Sequence, residues 1–303
     1  MSSQSIDPGL GEKFEKQTKR IINPDGSFNV KRKNTRLNPK DIYHFLVNLS
    51  WTTFLLMILA GYLLVNLLFG SVYFFIGVEN LRNSLTSTPM NNFLNAYFFS
   101  IQTFTTVGYG GIVPDGFSAN LVASFEALTG LLSFALATGL LYGRFSRPSA
   151  RILFSRNAVI APYKEIKALM FRVANLRNNN LIEVEARLLA VFVDHETHNR
   201  KYYVMKLERN SVYFFPLSWT VVHPIDVDSP FFNKSTEELK ELQTEILVQF
   251  KAFDDTFSQT VHTRYSYTFD EIIWNAKFKP AFEPDGKGEI IFDLDRIHDY
   301  EFM

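Results

Sequence analysis

A run of six residues, Thr105-Thr106-Val107-Gly108-Tyr109-Gly110, is the part of this chain whose types and spacing best suit a specific chemistry. Its side chains offer two hydroxyls, a phenol and nothing that would activate a nucleophile. Its backbone offers more. Gly108 and Gly110 permit dihedrals that other residues avoid, so successive carbonyl oxygens can turn to one side. A column of such oxygens can replace the hydration shell of a bare cation. Other chemistry is poorly represented. Asp194, His195 and His198 suggest a metal site, but they lie in a polar hairpin, DHETHNRK, where solvated side chains are expected. The absence of cysteine excludes disulfides and thiolate metal sites. No enzyme is expected.

The elements around this run decide what it can do. From Trp51 to Val78 the chain carries no charge, and about 20 residues of helix cross a hydrocarbon core. A second apolar run, Gly116 to Gly143, has Glu126 as its only charged residue. A carboxylate in such a span usually faces protein interior or water. Between the two, Asn92 to Phe104 reads as a helix with Phe93, Ala96, Tyr97, Ser100 and Phe104 on one face. It is too short to span and suits a re-entrant element buried in protein.

Charge gives the orientation. The 303 residues hold 31 basic and 31 acidic side chains, which argues against a nucleic-acid binder. Lys31, Arg32, Lys33, Arg36 and Lys40 precede the first span; Arg144, Arg147, Arg151 and Arg156 follow the second. The stretch between the spans has only Arg82. Both termini are therefore expected in the cytoplasm. Residues Met1 to Phe14 have no apolar leader core, so insertion is expected to depend on an internal segment.

After Arg156 short alternating stretches predict strands at Leu181–Asp194, Lys201–Leu207, Val212–Leu217, Thr244–Phe253 and Thr260–Phe269, with a helix at Thr236–Leu242. Their spacing suggests an antiparallel β-sandwich. The region to about Lys33 reads as polar and flexible, with a turn at Pro24-Asp25-Gly26. No segment has arginine at every third position, and no strand–GxGxxG–helix unit occurs.

The six-residue run resembles the TVGYG selectivity filter of potassium channels. By that resemblance the carbonyls of Thr106, Val107, Gly108 and Tyr109 coordinate K+, the only metal implied, with the Thr106 hydroxyl adding the innermost ring. Gly110 closes the filter, Thr105 and Gln102 support it, and Val107 and Tyr109 side chains brace it from behind. One chain supplies a quarter of such a pore, so a homotetramer follows. The whole chain further resembles inward-rectifier potassium channels, especially prokaryotic members, over about residues 25 to 285. Matching stretches are Asp41-Ile42-Tyr43-His44, Arg147-Pro148, Phe154 to Ile160 (FSRNAVI), Phe171 to Arg177 (FRVANLR), Trp219 to Asp226 (WTVVHPID), Asp228-Ser229-Pro230 and Asp270 to Trp274 (DEIIW).

The resemblance implies an α + β membrane protein. Residues 1–36 form a cytoplasmic segment, 37–49 an interfacial slide helix and 50–147 the pore domain. Within the pore domain the outer helix is 50–78, the pore helix 92–104, the filter 105–110 and the inner helix 116–146. Residues 148–303 form an immunoglobulin-like cytoplasmic β-sandwich. No cofactor beyond K+ is implied, and a bacterial inner membrane is the expected location. Partners implied are anionic, phosphoinositide-like lipids, and block by barium, magnesium or polyamines is expected.

The sequence also departs from the family. Eukaryotic members pair a pore-helix Glu with an Arg past the filter; Gln102 and Ile112 stand here. Strong rectifiers carry an Asp in the second span, where this chain has Phe134 beside Ser133. Glu126 lies nearer the filter, and either faces the cavity or the back of the filter, where it would contribute to attracting cations, or is a buried structural acid paired with filter backbone. Gly130 and Gly139 are candidate hinges or packing glycines. Tyr142, or Leu141, is the expected inner-helix gate. A second constriction is expected at Thr256, Phe257, Ser258, Gln259 and Thr260, with Asp254 and Asp255 as vestibule or solvated loop acids. Trp51, Arg144, Arg147 and Arg151 form the candidate lipid cluster, at about 1 kcal/mol per charge.

Overall fold

The computed structural model describes residues 5–11, 20–31, 33, 42–84, 86, 88–146, 151–177, 179–194, 196–215 and 218–303, with His44 described in its backbone alone. The chain divides into two units, Asn34–Arg147 and a second made of Met1–Lys33 with Pro148–Met303.

The first unit is helical. A short helix α1 covers Ile42–Asn48. Of the expected slide helix, Pro39, Lys40, Asp41 and the His44 side chain lie outside the described residues. Helix α2, Trp51–Ile76, begins where the Ser50 hydroxyl accepts from the Thr53 N–H and stops at Gly77, whose φ of +110° needs a residue without Cβ. Helix α3 spans Pro89–Phe104 and starts a turn earlier than its apolar pattern alone suggests. Proline at the first helical position costs no hydrogen bond and fixes φ for the helix. Helix α4, Gly116–Phe145, starts at Asp115, whose carboxylate accepts from the Gly116 N–H. Helices α2 and α4 are long and apolar enough to cross a membrane.

Two short strands, β1 (Leu81–Arg82) and β2 (Val113–Pro114), pair across the loop that carries the filter-like run. An Arg82–Asp115 ion pair of 3.0 Å joins the same loop ends. Phe69, Tyr73, Ala96, Phe99 and Ala119 form the buried cluster that holds α2, α3 and α4 together.

The second unit is a β-sandwich. Its strands are β3 (Ile152–Phe154), β4 (Ala158–Tyr163), β5 (Ile166–Asn175), β6 (Leu181–Val193), β7 (Arg200–Met205), β8 (Ser211–Phe214), β9 (Ser218–Ile225), β10 (Glu245–Asp254) and β11 (Gln259–Thr268). They continue through β12 (Ile272–Trp274), β13 (Ala276–Phe278), β14 (Phe282–Pro284), β15 (Ile290–Phe292) and β16 (Tyr300–Phe302), with helix α5 at Thr236–Glu241. One sheet runs β11-β10-β6-β7 with β8 on β6; the other runs β12-β4-β5-β3 with β9 on β5. Phe171, Leu188, Phe250 and Tyr267 fill the space between them. The family-like stretches fall on this core, since Phe154, Ala158, Ile160, Phe171, Val173 and Val221 are all buried.

The N-terminal region differs from the flexible stretch its composition suggests. Ile21 and Ile22 are buried with Val191, Tyr202 and Leu247. The Glu245 carboxylate accepts from both of their N–H groups, and Arg20 pairs with Glu271 at 2.7 Å. The expected turn forms, with the Gly26 N–H on the Asn23 carbonyl and Gly26 at φ +81°. A side chain there would also meet the Arg264 carbonyl at 2.9 Å. Polarity along the segment hides this docking because the partner strands lie more than 160 residues away.

In the WTVVHPID stretch His223 is buried, with Nε2 2.8 Å from the Ser229 hydroxyl and Nδ1 against the Lys206 carbonyl. Burial holds its pKa below the ordinary 6.5, opposed by the Lys206 carbonyl and the charge of Asp226. The unfolded chain therefore binds a proton that the folded chain refuses. Stability is present above about pH 6.5 and is lost as the pH falls below it, at up to about 1.4 kcal/mol per pH unit. Thermal unfolding between pH 7.5 and 5 is expected to show this slope, and His223→Gln to flatten it. An unchanged slope in the variant would assign the effect elsewhere.

Candidate functional site

The filter-like run leaves α3 at its C-terminus and doubles back beneath it. The Thr105 N–H donates to the Ile101 carbonyl and the Thr106 N–H to Thr103, as in a helix end. The Val107 and Gly108 N–H groups then both donate to one acceptor, the Gln102 carbonyl, at 3.0 and 3.3 Å. Thr106, Gly108 and Gly110 have φ of +58°, +55° and +77°, with Val107 and Tyr109 between them on the ordinary negative side. Alternating left- and right-handed residues turn successive peptide dipoles the same way. Two successive N–H groups are thereby committed to the Gln102 side of the run.

Two of these features were not legible in the residue types. Thr106 is β-branched, and a β-branched residue with positive φ is an outlier that costs about 1–3 kcal/mol and points to function. Gln102 supports the run through its backbone carbonyl, whereas the side chain is the part that the sequence singles out. Any residue at 102 would supply that carbonyl, so no sequence signal marks it.

Glu126 is fully buried in α4 and is no cavity acid. The Tyr73 hydroxyl donates to its Oε2 at 2.6 Å and the Ser100 hydroxyl to its Oε1 at 2.5 Å. It thus sits between α2 and α3, paired with side chains and not with filter backbone. One turn further, Gly130 faces the end of α3. A Cβ there would lie 2.0 Å from the Phe104 carbonyl oxygen, which makes Gly130 a close-approach glycine. Gly139 meets nothing within 4 Å and is the one of the pair still free to act as a hinge. Gly70, which no local sequence pattern marks, makes the same kind of approach to the Tyr97 backbone.

Tyr142 is exposed on α4, with Leu141 beside it half-buried. Arg144, on the same turn, is committed inside its own subunit. Its guanidinium donates to the carbonyls of Leu46, Val47 and Leu49 at 2.8–2.9 Å, and lies 4.6 Å from the Trp51 ring and 4.4 Å from Phe54. These are carbonyls left over at the end of α1, so Arg144 caps that helix. The expected lipid cluster is thus reduced: Arg144 and Trp51 hold each other, Arg147 lies outside the described residues, and Arg151 is exposed in the second unit. Arg144→Lys should cost roughly 3 kcal/mol per subunit, because a lysine cannot donate to three carbonyls and stack at once. Thermal unfolding in detergent should fall equally with and without anionic lipid. A loss seen only with lipid would return Arg144 to the headgroup.

The loop expected to constrict the cytoplasmic path is the β10–β11 turn. Gln259 and Thr260 belong to β11, so the turn itself is shorter than Thr256–Thr260, and Ser258 holds φ +50° within it. Asp254 is buried, against both expectations for it. Its Oδ1 accepts from the Thr256 and Phe257 N–H groups and its Oδ2 from Asn179 at 2.7 Å. Asp255 is exposed. In the DHETHNRK hairpin His195 lies outside the described residues. The Asp194 carboxylate, held below its usual range first by Lys201, is taken up by Lys201 at 2.6 Å and by two turn N–H groups.

Two helices long and apolar enough to span a membrane, with a short helix and its glycine-containing turn between them and a β-sandwich after them, are the arrangement expected of a membrane potassium channel. The family model for the inward rectifier potassium channel C-terminal domain matches residues 152–301, and an ion-channel model matches 61–147. The chain belongs to the inward rectifier potassium channel family. It is 38% identical over 289 residues to inward rectifier potassium channel Kirbac3.1 of Paramagnetospirillum magnetotacticum, covering 92% of this chain and 95% of that one. It is also 30% identical to human G protein-activated inward rectifier potassium channel 3, over 86% of this chain and 72% of the relative. Human G protein-activated inward rectifier potassium channel 2 is 28% identical over 95% of this chain and 73% of its own length.

Proposed function

We propose that four copies of this chain form a K+-selective pore whose ion sites are the carbonyls of Thr106, Val107, Gly108 and Tyr109. Gly110 ends the filter, while Thr105 and the Gln102 carbonyl hold its base. The observation that carries this reading is the alternation of φ from Thr106 to Gly110, with the Val107 and Gly108 N–H groups drawn onto the Gln102 carbonyl. Fourfold repetition turns one column of carbonyls into rings that can replace a hydration shell.

Conduction is controlled at the inner helix, where four Tyr142 rings, backed by Leu141, form a constriction that dewets when narrow. Gly139 is the hinge that moves it. The β10–β11 turn, carrying Thr256, Phe257 and Ser258 and held by Asp254, is a second constriction. Anionic lipid acts through Arg147 and Arg151. The charge pattern favours termini in the cytoplasm, and the resemblance to prokaryotic members favours a bacterial inner membrane.

Purified protein in liposomes should take up K+ in preference to Na+ and be blocked by barium. A second reading, a weakly selective cation channel, is favoured by Gln102 and Ile112, which replace the ion pair that braces eukaryotic filters. Equal uptake of the two ions would establish that second reading. Tetramers that take up neither ion would report a closed gate, whereas a monomeric protein without flux would contradict the channel reading.

A further inference from the structure

We propose that Glu126 is a filter-positioning residue, whose carboxylate ties the inner helix to the pore helix through Ser100 and so makes filter geometry depend on the inner helix. This rests on the reading of Thr106–Gly110 as a potassium filter.

Glu126 is an expensive residue to bury in an apolar helix unless its oxygens are satisfied. Among the described residues it forms no ion pair. Instead each oxygen has one hydroxyl donor, from a different element: Tyr73 of α2 on Oε2 and Ser100 of α3 on Oε1. Ser100 lies 3.2 Å from both the carbonyl and the side-chain oxygen of Asn66, whose amide in turn donates to the Tyr62 carbonyl. Asn66, Ser100 and Glu126 are all fully buried. Four polar residues thus close a knot among three helices, and the carboxylate is its only member from α4.

The knot sits where it bears on the filter. Gln102, whose carbonyl holds the Val107 and Gly108 N–H groups, is two residues beyond Ser100. The inner helix therefore touches α3 on both sides of that carbonyl, through Glu126 at Ser100 and through Gly130 at Phe104. The second contact is steric and resists approach only. The first is a hydrogen bond to a charged or acidic group, directional and short-ranged, so it also resists separation. When α4 moves, Ser100 and the end of α3 are drawn with it, and the carbonyl that anchors the filter shifts. Tyr73 serves the other oxygen from α2 and fixes the carboxylate without touching α3 through its hydroxyl.

The test uses the reconstituted tetramer and three variants, Ser100→Ala, Glu126→Gln and Tyr73→Phe, with K+/Na+ permeability ratio and barium affinity as readouts. A merely structural carboxylate would alter tetramer yield or melting and leave both readouts alone. Ser100→Ala and Glu126→Gln are each expected to lower the permeability ratio about fivefold or more. The double variant should fall no further than the worse single one, because both act on the same link: Ser100→Ala removes its donor, and Glu126→Gln leaves one neutral acceptor oxygen for two hydroxyl donors. Tyr73→Phe should have the smaller effect. Ser100→Ala removes one hydroxyl only and carries the test if Glu126→Gln fails to assemble. Assembled variants with wild-type ratio and barium affinity would overturn the inference, as would losses that simply add. A wild-type protein that does not discriminate K+ from Na+ would instead remove the filter reading itself.

Discussion

Gly108→Ala is expected to abolish potassium flux while leaving the second unit folded. Gly108 has φ +55°, and a left-handed residue with a side chain costs roughly 1–2 kcal/mol. The ring contains four, so the same change costs about 4–8 kcal/mol in one filter. It adds to the strain that Thr106, at φ +58° next but one, already places on each chain of the filter. The strain is relieved by letting φ return to negative values, which swings the 107–108 peptide out of line and breaks the column of oxygens. Gly111 is the internal control. It needs no positive φ and a Cβ there meets nothing within 4 Å, so Gly111→Ala should conduct nearly as wild type. Liposome uptake measured on both proteins at equal tetramer content decides the matter. Full flux in Gly108→Ala would mean that the alternation of dihedrals is not what presents the oxygens.

Gly130→Ala should give the second-largest loss, and its readout is assembly. The added carbon would lie 2.0 Å from the Phe104 carbonyl oxygen and 2.8 Å from its carbon. Both are backbone atoms at the end of the pore helix, so no rotamer change can make room. Overpacking of this kind costs about 1–3 kcal/mol per site and recurs in four subunits. Reduced tetramer yield and loss of flux are expected on size-exclusion chromatography and in uptake assays. Gly139→Ala is the contrast, because its Cβ meets nothing of its own chain within 4 Å. It should assemble normally, so any effect on open probability reports hinge motion. Normal assembly of Gly130→Ala would show that α3 and α4 are looser than this contact allows.

What could be read in the sequence follows from the range of each interaction. The filter run, the two spans and the strands are local: glycine spacing, uncharged length and alternation are each contained within a few turns of chain. Helix α5 and strands β6, β7, β10 and β11 end within about two residues of their sequence patterns, as hydrogen-bond and pattern boundaries usually do. The roles of Arg144, Glu126 and the N-terminal segment were not legible. Arg144 looked like ordinary positive-inside charge because its partners are backbone carbonyls almost a hundred residues away, which any residues there would supply. Glu126 could be marked as unusual, yet nothing local says that Tyr73 and Ser100 will meet it. Ile21 and Ile22 sit in a polar stretch whose apolar minority becomes core only when β6, β7 and β10 are already assembled. Gly130 shows the same limit: a hinge glycine and a close-approach glycine are identical in sequence and differ only in what faces them.

The most direct measurement of the central claim is the reversal potential of the reconstituted channel between potassium on one side and sodium on the other. A value close to the potassium equilibrium potential, abolished by barium and absent in Gly108→Ala, is the predicted result. A reversal potential near zero from the same tetramers would contradict a potassium-selective filter in this chain.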